Sequence, residues 1–320
     1  MDVPIDIVTV TLNPAIDRTV FIDRFAPGSV NRVTREQRLA GGKGVNVSAL
    51  LGQFGIPNSA TGFLGRDNQE IFVDLFTRYG IEDAFLRLSA ETRTGIKIID
   101  GRTRETTDIN FPGMRPSERE LDLLEKRLGL LAEKGRWFVI GGSLPDGISV
   151  EFFAGILSML KQAGAHVAVD TSGHALRAAI DGGVDVIKPN EHELAEYLGK
   201  ELPDLTAKIA AAVEIQKTKV PHVILSLGGE GALFITPGSS LMVSPPPVEV
   251  VGTVGAGDAL LAGYLAGLVT GRASDDRARL ATVFAWSVLE NVSRELPSKA
   301  GIEERMSRIS LRSIADLTPE

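Results

Sequence analysis

The chain has 320 residues with 34 basic and 41 acidic side chains, a formal net charge of -7 and no cysteine. Disulfides and thiolate catalysis are therefore excluded, and four scattered histidines offer no histidine-based metal cluster. No long basic block is present, which argues against nucleic acid or an anionic membrane as partner.

At the N-terminus, Asp2 and Asp6 interrupt any apolar run, and Ile5 to Thr11 reads as a strand rather than an export signal. No later apolar run approaches the roughly 20 residues of a membrane-spanning helix, so the cytoplasm is the expected location. Short apolar runs follow at Trp137 to Ile140, His166 to Val169, Val184 to Ile187 and His222 to Ser226. Helix-compatible stretches lie at Val150 to Ala163, Leu205 to Lys217 and Ala259 to Leu268. Such alternation predicts an α/β protein with a mostly parallel sheet covered on both faces.

Two regions break this rhythm. Thr19 to Leu39 and Thr94 to Asn110 carry β-prone pieces, which form either a small lid beside the main sheet or a pair of static edge hairpins. In open α/β sheets, ligands collect beyond the carboxyl ends of the strands. That directs attention to the polar segments that follow Thr11, Ile140, Val169, Ile187, Leu225 and the strand-like Val248 to Val251 stretch.

Gly252-Thr253-Val254-Gly255-Ala256-Gly257-Asp258 precedes a helix-compatible segment. Small residues there let a helix start present its free N–H groups to an anion. Asp258 at its edge could accept a proton from an attacking hydroxyl, or could simply satisfy backbone donors as a helix-start aspartate. Gly41-Gly42-Lys43-Gly44-Val45-Asn46 is not a Walker A loop. Lys43 and Asn46 suit phosphate or sugar oxygens, while a flexible helix entrance explains the glycines equally.

Asn13-Pro14-Ala15-Ile16-Asp17 offers an amide and a carboxylate to sugar hydroxyls, or a turn. In Lys188-Pro189-Asn190-Glu191-His192-Glu193, Asn190 and Glu193 have capping-box spacing, and the same oxygens could organise magnesium-bound water. Ser226-Leu227-Gly228-Gly229-Glu230-Gly231 makes room for a nucleotide or turns a hairpin.

Taken in order, these motifs, with Gly62 to Asn68 and Gly142-Ser143-Leu144-Pro145 between them, cover nearly the whole chain. Together they resemble the phosphofructokinase B branch of the ribokinase-like sugar kinases, nearest its members that use fructose 1-phosphate. The resemblance implies one three-layer α/β/α domain over residues 1–320, with a small β lid formed by 19–39 and 94–110. It implies ATP-dependent phosphorylation of fructose 1-phosphate at the 6-hydroxyl, with fructose 6-phosphate or tagatose 6-phosphate as alternative acceptors. A catalytically silent sugar-phosphate sensor is the alternative from another class.

By the same resemblance Asp258 is the catalytic base and Gly255, Ala256 and Gly257 form the anion hole. Asn13, Asp17, Gly42, Lys43, Asn46, Arg93, Lys97 and Ser143 fall to the substrate. Lys188, Asn190, Ser226, Gly228, Gly231, Thr253 and Asn291 fall to ATP, and Glu193 to magnesium through water. Asn291 also fits a plain helix cap. A monovalent cation and a homodimer formed through the lids complete the implied set. Gly95 stands where the resemblance leads one to expect an asparagine, so a sugar hydrogen bond would have to come from water or another lid residue.

Overall fold

In the strand Trp137–Gly141, Phe138 and Ile140 enter one apolar cluster and Val139 another. The alternation repeats in His166–Asp170, with Val167 and Val169 on one side and Ala168 on the other. It repeats again in His222–Ser226, with Val223 and Leu225 opposite Ile224. Successive strand side chains point to opposite faces, so a run apolar at every position must be covered twice. Helices Glu118–Leu131, Val150–Gln162, Gly173–Asp181, Glu191–Leu198 and Leu205–Thr218 cover the first face. Helices Lys43–Phe54, Ala256–Val269, Ser274–Leu289 and Lys299–Ser307 cover the second. The result is the expected three-layer α/β/α arrangement.

The computed structural model describes residues 7–317, so Ile5 and Asp6 of the expected first strand lie outside the described residues. Asn58–Gly65, Ile7–Thr11, Trp137–Gly141, His166–Asp170, Val186–Ile187 and His222–Ser226 are successive parallel neighbours in the central sheet. Thr11, Gly141 and Asp170 are in register, so three chain segments leave the sheet at one edge. Among the described residues, no helix is long and apolar enough to cross a membrane.

Three differences from the sequence reading have local causes. Val184 to Ile187 shortens to Val186–Ile187 because a turn follows the preceding helix. Val248 to Val251 is not a strand, and residues 245–250 have no regular structure. Pro245, Pro246 and Pro247 lack the N–H groups that a ladder requires. The sheet instead continues antiparallel beyond His222–Ser226 through Ala232–Thr236, Ser239–Ser244 and Ser310–Ser313.

The two irregular regions do not make separate hairpins. Arg35–Gly41, Ala15–Ile22, Thr94–Asp100 and Thr106–Asn110 join in one four-stranded sheet, with Ala15–Ile22 and Thr94–Asp100 parallel at its centre. Val20, Ile22 and Ile98 form its small buried core.

The segment from Ser226 to Gly231 does turn a hairpin, through the single helical turn Gly228–Glu230. Gly231 has φ 106, and a Cβ there would overlap the carbonyl oxygen of Val243. Gly231→Ala is expected to cost about 2 kcal/mol and to lower Tm by about 4 °C in calorimetry. Gly229→Ala, whose Cβ meets nothing within 4 Å, should leave Tm unchanged.

Candidate active site

The helix expected from Ala259 starts three residues earlier, at Ala256. Its N-cap, Gly255, takes φ 87, a left-handed conformation that glycine adopts without strain. No side chain caps this helix, and of its first N–H groups only that of Ala256 reaches a backbone carbonyl, that of Thr253, at 3.4 Å, so the positive end of its dipole faces outward for a ligand. Gly255, Gly257 and Asp258 line a cavity of about 500 Å³ at the edge where the parallel strands end.

Asp258 is 6% exposed, and its Oδ2 accepts a hydrogen bond from Asn46 Nδ2 at 2.6 Å. It therefore bonds to a neighbouring helix rather than capping its own. Burial pushes its carboxyl above the ordinary range and the charge of Asp170 adds to this; Lys43, the Asn46 amide and Lys188 oppose the rise without cancelling it. A carboxylate that resists charging while facing a cavity is suited to take a proton.

Asp170 ends the strand His166–Asp170 and is 2% exposed. Burial would raise its carboxyl, but Lys188 and Lys43 outweigh burial and hold it below the ordinary carboxylate range. Lys43 Nζ lies 2.7 Å from Oδ1 and Lys188 Nζ 3.2 Å from Oδ2. Burial acts to discharge Lys43, yet Asp170 and Asp258 override it and keep the ammonium charged. A Cβ placed on Gly257 would meet Lys188 Nζ at 3.1 Å, so this ammonium sits beside the helix start. Two cations and a helix N-terminus thus line one cavity with the buried Asp258 carboxylate.

Arg93, Asn13 and Ser143 form a second polar group on the same cavity. Arg93 Nε donates to Asn13 Oδ1 at 3.0 Å, and Asn13 Nδ2 donates to Ser143 Oγ at 3.0 Å. Burial lowers the Arg93 pKa and Asp17 acts against it. A guanidinium stays charged through such a shift and keeps its donors. Asp17, Gly42, Lys43, Asn46, Lys188 and Glu193 line the same cavity.

A helix N-terminus, a buried carboxylate and a separate polar cluster thus share one pocket, and comparisons over the whole chain show its family. The model described as "pfkB family carbohydrate kinase" matches residues 10–299. The chain belongs to the pfkB family of carbohydrate kinases. This pfkB kinase is 36% identical over 308 residues to a 1-phosphofructokinase of Vibrio cholerae, covering 96% of this chain and 97% of the relative. Its fold matches the crystal structure of phosphofructokinase-2 from Escherichia coli in complex with substrates and products. The TM-score is 0.89 at 28% identity, over 95% of this chain and 99% of that one. The Arabidopsis thaliana ribokinase complexed with ribose and ATP shares the fold at TM-score 0.72 and 20% identity, over 95% of this chain and 99% of that one. The ribokinase-like fold is thereby established.

The remaining residues singled out from the sequence of this pfkB kinase are not among those that line the cavity. Lys97 pairs with Asp108 and lines an adjoining cavity of about 240 Å³, which Gly95, Asn110 and Asn291 also line. Asp17 borders both spaces. Ala256 is the first helical residue, and the exposed Thr253 gives its carbonyl to the Ala256 N–H at 3.4 Å.

Asn190 and Ser226 bridge neighbouring strand ends, with Gly228 and Gly231 in the turn that follows. Asn190 and Glu193 form a reciprocal capping box, with bonds of 2.9 and 2.8 Å. Asn291 donates to the carbonyls of Ser287 and Glu295, so its bonds are those of a helix-end organiser.

Gly95 pairs directly with Asn110 across the small sheet, and its absent Cβ would lie 3.4 Å from Asn110 Oδ1. An amide is therefore present beside the glycine, from the adjoining strand. Sequence reasoning passed over Asn110, Asp170 and Arg294. Asp170 carried a usable signal, as the acid at a strand's carboxyl end. Arg294 carried none, because its partners Asp17 and Asn46 are more than two hundred residues away.

Proposed function

We propose that this kinase transfers the terminal phosphoryl group of ATP to the 6-hydroxyl of fructose 1-phosphate, giving fructose 1,6-bisphosphate and ADP. The observation that carries this reading is the buried Asp258 carboxylate in the first turn of Ala256–Val269, on the one cavity that the Arg93–Asn13–Ser143 group also lines. Arg93, Asn13 and Ser143 take the 1-phosphate, where a guanidinium fork binds phosphate oxygens well. Asp17, Gly42 and Asn46 bind the sugar, with Lys97 and Asn110 above it. Asp258 accepts the proton of the 6-hydroxyl as that oxygen attacks phosphorus. The N–H groups of Gly255, Ala256 and Gly257, with Lys43 and Lys188, offset the charge on the transferred group.

Lys188, Asn190, Ser226, Gly228, Gly231, Thr253 and Asn291 are assigned to the nucleotide. Among the described residues no group of three His, Asp or Glu could hold a metal by itself. Glu193 lines the cavity with one oxygen engaged by the Asn190 N–H, which fits magnesium arriving with the nucleotide and held mainly by phosphates and water. Bound there, the ion would neutralise charge on the phosphate oxygens. A monovalent cation is assigned as an activator, to be read by exchanging potassium for a bulky organic cation. The four-stranded sheet acts as a lid that excludes water, and meets its counterpart across a homodimer. The reaction is placed in the cytoplasm.

The test is a kinase assay of fructose 1-phosphate, fructose 6-phosphate, tagatose 6-phosphate and fructose, with product position fixed by NMR. Fructose 1-phosphate should give the highest kcat/KM, and preference for unphosphorylated fructose would overturn the assignment of Arg93. Arg93→Gln is expected to raise KM for fructose 1-phosphate about 50-fold, the loss of a charge-assisted pair of bonds. Its kcat/KM for unphosphorylated fructose should change little.

A further inference from the structure

Arg294 is one of two non-glycine residues among those described with φ in the left-handed region, at φ 57. A residue with a Cβ holds that conformation only where its surroundings enforce it. Gln53, on the helix Lys43–Phe54, does so from both sides. Its Nε2 donates to the Arg294 carbonyl at 3.2 Å and its Oε1 accepts from the Leu296 N–H at 2.9 Å. The arginine side chain is thereby turned inward, 12% exposed, and passes close to Gly255, where a Cβ would meet its Nε at 3.3 Å.

At its tip, Nη1 donates to Asn46 Oδ1 at 2.7 Å and Nη2 donates to Asp17 Oδ2 at 2.7 Å. A guanidinium only donates, and an amide has one accepting end. With its oxygen fixed on Arg294, the Asn46 amide must aim its NH2 group elsewhere, and it donates to Asp258 Oδ2. The planar fork therefore holds a carboxylate and an amide at once, and through the amide a second carboxylate.

We propose that Arg294 is a positioning residue of the phosphoryl-transfer site, fixing the orientation of Asn46 toward Asp258 and of Asp17 toward the sugar. The inference rests on the kinase reading above. Without the fork the Asn46 amide can rotate and present its oxygen to Asp258, and Asp17 is free to swing. Errors of about 1 Å in such groups cost on the order of 10²-fold in rate.

Arg294→Ala is accordingly expected to lower kcat about 100-fold and to raise KM for the sugar phosphate about 10-fold. KM for ATP should stay within roughly twofold, since neither partner is assigned to the nucleotide. Arg294→Lys, which lacks the fork and can reach one partner at a time, should fall between the two. Millimolar methylguanidinium should restore part of the Arg294→Ala rate saturably, which a purely structural role would not produce.

An Arg294→Ala protein with native circular dichroism and kcat and KM within twofold of wild type would overturn the proposal. So would a rate loss that methylguanidinium leaves untouched. Should that variant fail to fold, Gln53→Leu carries the test by releasing the Arg294 turn while leaving the 500 Å³ cavity intact. Its kcat is expected to fall about 10-fold, and an unchanged value rejects the idea. Absence of wild-type turnover with any sugar phosphate defeats the functional reading instead, so the two failures are told apart.

Discussion

Asp258→Asn should lower kcat about 10³-fold while KM for both substrates stays within roughly twofold. The amide is isosteric, so the pocket and the helix start are preserved, and only the acceptor for the hydroxyl proton is lost. Stability should move the other way. The folded pKa of Asp258 is raised by burial and by Asp170. Charging this group therefore disfavours the fold once pH rises past the unfolded value near ~3.9. Calorimetry at neutral pH should find Asp258→Asn at least as stable as wild type.

For the same reason, the acid limb of the wild-type kcat/KM profile should lie above the ordinary carboxylate range. A variant retaining a tenth of wild-type kcat would remove Asp258 from the role of base.

Asp170→Asn is the second large effect, and it falls on stability first. The substitution leaves the buried Lys188 and the partly exposed Lys43 without their shared counter-charge. Removing one partner of a buried ion network costs about 3 kcal/mol where, as with Lys43, a partner stays partly hydrated, a fall in Tm of roughly 6 °C. In wild type the folded pKa of Asp170 lies below its unfolded value. Its stabilising contribution is therefore full above about pH 4 and is lost as pH falls through the folded value. Calorimetry over an acid pH series should show that loss in wild type and its absence in the variant. A Tm within 2 °C of wild type at neutral pH would mean that the lysines find other counter-charges. In the surviving activity, the acid limb should shift to lower pH, because the charge that raises Asp258 is gone.

Much of the layered fold was legible because its signals are local. His222–Ser226 is apolar enough to need cover on both faces, and the capping-box spacing of Asn190 and Glu193 announces the helix Glu191–Leu198. The small sheet was half legible. Its β-prone pieces stood out, but the parallel pairing of Ala15–Ile22 with Thr94–Asp100 joins segments separated by two helices, and no local pattern encodes it. The polar groups at strand ends could be named, since a parallel sheet sends its carboxyl ends to one edge. How they pair could not.

The sequence by itself determined the chain's family, its layers and the candidacy of Asp258, because motif order and hydrophobic alternation survive without coordinates. Only the tertiary structure decided that Asp258 bonds to Asn46, that Asp170 holds Lys43 and Lys188, and that Arg294 spans Asn46 and Asp17. Each of these is a contact between distant segments, and its strength depends on burial that removes competing water. Burial is a property of the packed chain and of no single stretch of it.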